Sequence, residues 1–274
     1  MFSNLSLISF LTIVFCALSC AILGNFVLWK KISYFGDTLS HSTLFAVAIA
    51  YFFSIDDVFV IVVFNFIFSF LVIYSNHQFG KNSNYKTPRL FSIDAITMIM
   101  AYFFISCAIL FNEKFNDNYQ FEEFIFGNID KLDYHHLFLI MSLFISIILF
   151  TIFFLNGFLL FLFSPEISRL NKIKNNIIEF IFISLLSILI AFAIKITGIF
   201  LVTALMILPP ACARILAKNP KNMIIFSGFI SIIISILAIY VSYFLNLSQA
   251  PTIIFLNAIM LAILLLYQKF YAKT

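Results

Sequence analysis

The chain has 274 residues, of which 63% are hydrophobic and only 10% are charged. A soluble domain carries roughly 25% charged residues and at most about 50% apolar ones, so this composition excludes a soluble globular protein and indicates burial in lipid. The net charge of +4 is small and lies in short joints between apolar segments, which excludes a nucleic-acid-binding surface.

Nine apolar segments follow one another along the chain. Each is about 20 residues long, the length of an α-helix that crosses a bilayer, whereas barrel strands would alternate over roughly ten residues. The segments cover residues 5–29, 39–55, 58–75, 91–111, 135–163, 177–195, 198–217, 223–245 and 251–268. We therefore predict an all-α, polytopic integral membrane protein, a single transmembrane domain over residues 1–274. The expected count is about nine transmembrane helices, with eight as the alternative.

The polar joints between these segments alternate in charge. Basic side chains concentrate in every second joint, at Lys30 and Lys31, 77–89, 169–174, 214–221 and beyond residue 268. The other joints are neutral or acidic, at 56–57, 112–134 and 246–249. Because positive joints stay on the cytoplasmic side, the pattern predicts an N-terminus outside and a C-terminus in the cytoplasm.

Asp37 and His41 lie four residues apart at the start of the second segment. On a helix, side chains at that spacing share one face and lie about one turn apart. A carboxylate and an imidazole can share a divalent transition-metal ion, and ionisable groups at membrane depth usually mark the route of an ion or proton. The pair predicts a metal-ligating site that needs neutral His41 and ionised Asp37, so uptake should weaken at acidic pH.

A second interpretation of this pair needs no metal. Asp37 could cap the second helix while His41 lies in the wet interface, because Asp is a favoured N-cap and Gly36 before it suits a turn. The metal site would also be incomplete, since zinc prefers four ligands and manganese about six. Water, a third side chain or a second copy of the subunit would have to supply the others.

The joint 112–134 carries six acidic side chains against two basic ones. One interpretation is an ordinary solvated loop. The other is an outer surface that attracts cations or docks a delivery protein by charge complementarity.

Residues 164–169 form a polar joint after the fifth segment, with the sequence Ser-Pro-Glu-Ile-Ser-Arg. Ser164 suits an N-cap, Pro165 the first helical position and Glu166 the first turn. The pattern predicts a short polar helix, ending near Arg169, that a partner could grip from the cytoplasm. The alternative is a simple turn between two helices.

Two adjacent prolines, Pro209 and Pro210, lie inside the seventh segment in the stretch LPPACAR. Proline removes a backbone donor, so we expect a broken or kinked helix, with small neighbours that allow close packing. A structural use of this feature is favoured over a binding site.

The stretch from Trp29 to His41, WKKISYFGDTLSH, closely resembles the signature region of the permease subunit of bacterial zinc-uptake ABC importers. These permeases belong to the zinc/manganese/chelated-iron family. The similarity continues at Ser164-Pro165-Glu166, at 195–198 and through 208–214, so it covers nearly the whole chain. One departure is Asn128, where zinc members commonly have an acid.

The resemblance implies a homodimer in the inner membrane of a bacterium, bound to a cytoplasmic ATP-binding subunit and served by a periplasmic or surface metal-binding protein. By the family's pattern, Asp37 and His41 line the metal path, with zinc, or else manganese or iron, as the transported ion and no permanently bound cofactor. The helix formed by Ser164, Pro165, Glu166 and Arg169 matches the segment that couples to the ATPase.

The chain contains no Gly-x-x-x-x-Gly-Lys-Ser/Thr loop to cradle phosphates. We therefore expect a transport subunit that is not itself an enzyme and whose energy comes from a partner that hydrolyses ATP. The alternative is a gradient-driven secondary transporter or channel, although no internal repeat is visible and the mid-span positions are almost free of charge. An intramembrane metalloprotease ranks last, because no His-Glu-x-x-His sequence exists.

Overall fold

The computed structural model describes residues 7–55, 57–81, 93–115, 127, 132–164, 167–168 and 175–271. Within these residues the chain forms nine long α-helices, which confirms the all-α class. The helices are α1 (Leu7–Lys30), α2 (Ser33–Phe53), α3 (Asp57–Lys81), α4 (Ile93–Phe115), α5 (Tyr134–Phe163), α6 (Asn175–Thr197), α7 (Ile199–Leu216), α8 (Pro220–Leu245) and α9 (Gln249–Tyr271).

Each predicted apolar segment coincides with one helix, and most helix ends lie within a few residues of the prediction. The largest disagreement at a helix start is α2, which begins at Ser33 and not near residue 39. Polar residues between 33 and 38 lower the local hydropathy, so the hydropathy pattern did not predict the first turn of α2. In the structure that turn is packed, because Phe35 and Thr38 are buried.

Six helices in the described part of the chain are long and apolar enough to cross a membrane, namely α1 and α5 to α9. The apolar cores of α3 and α4 are shorter, at Val58–Phe70 and Ala95–Phe111. A polytopic membrane protein is therefore supported, whereas the count of about nine spans and the side on which each terminus lies remain predictions.

Helix α1 occupies the middle of the larger group of helices, where it packs against α5, α6, α7 and α8. At its buried face Phe26 meets an aromatic cluster from α5 and α6. Its ring centroid lies 5.0 Å from that of Phe158 and 5.4 Å from that of Phe150, and Phe158 lies 5.2 Å from Phe182. Edge-on aromatic contacts of this kind add to the packing of large apolar side chains. Lys30, at the end of α1, forms an ion pair with Glu179 of α6.

Helix α2 belongs to the other side of the molecule. It packs against α3 and α4, and also touches α6 and α7. Its Thr38 hydroxyl lies 2.9 Å from the backbone carbonyl of Thr97 in α4, where it donates a hydrogen bond between helices. The fold therefore places α2 between the two groups of helices, where a moderately polar helix is shielded by its neighbours.

Candidate metal-translocation site

Asp37 and His41 lie in the second and third turns of α2. The residue at the N-cap is Ile32, whose side chain makes no capping hydrogen bond. Asp37 therefore lies inside the helix, five residues beyond the cap, and the interpretation that it caps the helix is wrong. Both side chains are half-buried, and they lie one turn apart on α2, as their spacing predicts.

The face of α2 that carries this pair is less buried than the rest of the helix. From Asp37 onward, the half-buried positions are Asp37, His41, Phe45 and Ile49, while the positions between them up to Ala50 are buried. A spacing of four residues places these side chains along one stripe. Phe45 on this stripe packs against rings of α3 and α4, so the end of the stripe near Asp37 is the part that borders a cleft.

Asp37 lines a cleft of about 750 Å³ between α2 and α7. The opposite wall consists of Thr203, Ala204, Ile207 and Leu208 of α7. His41 is not among the residues that line this cleft. The structure therefore brings Asp37, but not His41, to the cleft surface, with the imidazole one turn deeper.

His41 has a buried ring nitrogen without a hydrogen-bond partner. Its Nδ1 is enclosed by the protein and contacts no donor or acceptor. Buried polar atoms are almost always paired, and an exception needs an explanation. An unpaired imidazole nitrogen beside a carboxylate is a donor set that fits a transition-metal ion.

Two cations lie on the same cleft as Asp37. The side chains of Lys31 and Arg214 are exposed and border it from the ends of α1 and α7. They oppose a divalent cation, while Asp37 attracts it. The charges around this cleft therefore partly offset one another.

No group of three or more His, Cys, Asp or Glu side chains suited to hold a metal is formed by the residues that the structure describes. Among the described residues, Asp37 and His41 are thus a pair without a third such side chain beside them. A closed structural zinc site needs four ligands.

The predicted coupling segment lies largely outside the described residues, which include Ser164 but not Pro165, Glu166 or Arg169. Ser164 ends α5, where its N–H donates to the carbonyl of Leu160 at 2.9 Å. Its own carbonyl accepts from the N–H of Ser168 at 3.0 Å, and residues 167–168 are helical. This bond is the one that an N-cap carbonyl makes, so a new helical turn follows Ser164.

The two prolines do not break α7, which is continuous from Ile199 to Leu216. They deprive the carbonyls of Leu205 and Met206 of their usual i+4 donors. The carbonyl of Met206 faces Gly24 of α1, where an added Cβ would lie 2.0 Å from the oxygen. Only glycine permits this approach, so the prolines mark a tight contact between α1 and α7.

At the other end of α7, a turn at Gly198 separates this helix from α6. Gly198 has a φ of +81° and precedes the first residue of the helix. Gly127 from the 112–134 joint packs directly on this turn, since a Cβ on it would lie 2.5 Å from the carbonyl carbon of Thr197. Most of the acidic joint and Asn128 lie outside the described residues.

Sequence reasoning did not single out the wall of α7 opposite Asp37. Thr203 was one polar residue in an apolar segment, and nothing in its local pattern pairs it with α2. The signal that could have identified Thr203 is a single polar residue in the middle of an apolar segment. The same signal is present at Asn65 of α3.

These features define a multi-pass membrane protein with a carboxylate and an imidazole on one face of an internal helix. The chain belongs to the ABC 3 transport family, whose signature matches residues 4–268. This match confirms the resemblance seen in the stretch from Trp29 to His41.

Two curated relatives match the chain over most of its length. The high-affinity zinc uptake system membrane protein ZnuB of Haemophilus influenzae is 30% identical over 251 residues, covering 90% of this chain and 92% of the relative. The manganese transport system membrane protein MntC of Listeria monocytogenes is 24% identical over 259 residues, covering 94% and 88%.

Among solved structures, the chain is similar to PsaBC from Streptococcus pneumoniae in complex with Fab. The TM-score is 0.78 at 21% identity, with 93% of this chain and 89% of that chain covered. At this identity the likeness supports the fold.

Proposed function

We propose that this protein is the membrane-spanning permease subunit of an ABC importer that moves a divalent metal ion, zinc, into the cytoplasm. The observation that carries the proposal is the Asp37–His41 pair. The two side chains lie one turn apart on the same face of α2, with Asp37 at a cleft and His41 one turn deeper, where it keeps an unpaired ring nitrogen. The family match and the names of the relatives supply the transport context.

The ligand chemistry favours zinc over manganese. Zinc readily takes imidazole nitrogen and four ligands, whereas manganese prefers about six ligands, mostly oxygen. One imidazole and one carboxylate from each of two subunits would give a set of four. We therefore propose a homodimer whose two copies of α2 face each other across the pathway and complete the site.

Each residue of the site has a separate task in this proposal. Asp37 supplies the negative charge that replaces part of the ion's hydration shell, and His41 supplies a neutral nitrogen ligand. The α7 wall at Ile207 and Leu208 excludes water on the other side of the cleft. Lys31 and Arg214 weaken the hold on the ion at the mouth, which favours its release during alternating access.

The proposed orientation follows the basic joints. The N-terminus lies outside and the C-terminus in the cytoplasm, in the inner membrane. The turn after Ser164 then faces a cytoplasmic ATP-binding subunit, and the joint around Gly127 faces a metal-binding delivery protein outside. ATP hydrolysis belongs to the partner and not to this chain.

Radiolabelled zinc uptake by cells that express single variants tests the role of the pair. Asp37→Ala and His41→Ala should each lower the initial rate at least tenfold at equal membrane abundance. Matched controls are Glu113→Ala and His135→Ala, which remove an exposed carboxylate and an exposed imidazole. Wild-type rates in both Asp37→Ala and His41→Ala would remove the pair from the mechanism.

The energy source needs a separate test against the gradient-driven alternative. Proteoliposomes that contain the permease and its ATP-binding subunit should take up zinc when ATP is supplied on the cytoplasmic face. An ion gradient alone should give no uptake. Uptake driven by the gradient without ATP would contradict the ABC assignment of the energy source.

A further inference from the structure

A fully buried network of polar side chains links α2, α3 and α6. Ser42 Oγ lies 2.8 Å from Asn65 Oδ1, and Asn65 Nδ2 donates to Thr43 Oγ1 at 2.8 Å. On the next turn of α3, Ser69 Oγ lies 2.7 Å from Ser187 Oγ of α6. All five side chains have 0% exposure.

Such a network is unexpected in a helix as apolar as α3. A buried amide without partners is costly, yet both the oxygen and the nitrogen of Asn65 are bonded here. Polar groups at membrane depth that are fully satisfied specify one arrangement of their helices, because any other arrangement leaves them unpaired. Asn65 therefore acts on the geometry of α2.

The network holds α2 on the side opposite its functional pair. At 3.6 residues per turn, the midpoint between Ser42 and Thr43 lies roughly 170° around the helix from that of Asp37 and His41. Asn65 accepts from Ser42, whose one hydroxyl proton is shared with the carbonyl of Leu39, and donates to Thr43, so its planar amide fits one rotation of α2. A rotated helix would break one of these two bonds, turn Asp37 away from the cleft and move His41 with it.

We propose that Asn65 is a positioning residue that fixes the rotation of α2 and thereby sets the metal affinity of Asp37 and His41. This inference rests on the proposed function of that pair. Asn65 touches neither side chain and acts through Ser42 and Thr43. Its loss should therefore loosen the metal geometry without removing a ligand.

The test uses the full chain in lipid nanodiscs, with zinc titrated against a chromophoric chelator and Co²⁺ as a spectroscopic probe of coordination. Asn65→Leu removes the amide, while the hydroxyls of Ser42 and Thr43 keep their bonds to the carbonyl of Leu39. We expect the zinc Kd to rise about tenfold, the usual effect of losing a residue that orients a ligand, and the Co²⁺ absorption to change. Thr43→Val should shift both in the same direction.

Ser69→Ala is the matched control, because it cuts the same network between α3 and α6 and not at α2. It should lower the Tm by a similar amount and leave the zinc Kd and the Co²⁺ spectrum unchanged. An equal rise in the zinc Kd for Ser69→Ala would show that the network acts only through the general stability of the fold. That result would overturn the inference. Wild-type binding by Asn65→Leu and Thr43→Val would do the same.

The remaining outcomes separate this inference from the proposed function. If Asn65→Leu does not accumulate, Thr43→Val decides, because it removes a single hydroxyl of nearly equal volume. If Asp37→Ala and His41→Ala bind zinc as the wild type does, the proposed function itself fails. If those two variants lose binding while Asn65→Leu keeps it, only the positioning role is lost.

Discussion

Helices α1 and α2 are neighbours in sequence, yet their contacts with other helices differ. Helix α1 packs closely, with Phe26 in a cluster of aromatic rings and Gly24 against the backbone of α7, and Asn25 adds a buried hydrogen bond to Ser227 of α8. Helix α2 forms hydrogen bonds with two neighbours, with α4 through Thr38 and with α3 through Ser42 and Thr43.

This difference shows which kind of contact fixes the rotation of a helix about its axis. Dispersion contacts are numerous and weakly directional, so they fix the distance between helices more strongly than their rotation. Hydrogen bonds weaken steeply with angle and therefore fix rotation as well. The helix that carries Asp37 and His41 has such directional bonds to both α3 and α4. We expect changes at the tight contacts of α1 to reduce folding, and loss of the bonds between α2 and Asn65 to alter metal handling more than folding.

The largest effect is expected at Gly24. Gly24→Ala places a Cβ 2.0 Å from the carbonyl oxygen of Met206, which is backbone and cannot move aside cheaply. The cost should be about 3 kcal/mol or more, so little folded protein should be recovered. Size-exclusion profiles and Tm in detergent measure it. Gly228→Ala is the control, because its Cβ meets Leu18 at an ordinary 3.5 Å and should be tolerated. A wild-type Tm for Gly24→Ala would contradict the importance of the close contact between α1 and α7.

An intermediate effect is expected from pH. Metal binding needs an imidazole lone pair, so protons compete with zinc for His41. Protonation increases as pH falls, and uptake at fixed free zinc should therefore decline severalfold as the pH is lowered from about 7.5 into the acidic range. Initial rates in buffered proteoliposomes test this. In His41→Asn the residual rate should vary much less with pH, and an equally steep profile there would assign the dependence to another group.

The smallest effect is expected at Thr38. Thr38→Val keeps the shape and removes the hydrogen bond to α4, at a cost of about 1 kcal/mol, and zinc uptake should stay within about twofold of wild type. The control is Thr12→Val in α1, where the hydroxyl bonds only within its own helix, to Ile8 at 2.7 Å, and the loss should be smaller still. Tm measurements on both variants decide. If Thr12→Val proves the more damaging, the hydrogen bond between α2 and α4 does not stabilise the fold.

Much of the fold could be predicted from the chain alone because each helix carries its own signal. A run of about 20 apolar residues can only satisfy its backbone in lipid as a helix, so the helices themselves required no knowledge of their neighbours. The spacing of Asp37 and His41 similarly placed both on one face of α2. The start of α2 was predicted wrongly, because the polar residues after Lys31 lower the local hydropathy. Burial of Phe35 stabilises the turn that forms there.

The sequence by itself determined the class of the protein, its helices and the pair of candidate metal ligands, because these depend on composition and on spacings of a few residues. Only the tertiary structure decided that Gly24 meets Met206, that Gly127 lies on Thr197 and that Asn65 bonds to α2. These contacts join residues from 22 to more than 100 positions apart. Their partners depend on how helices pack, and periodicity within one helix indicates which face is buried but not what that face will meet.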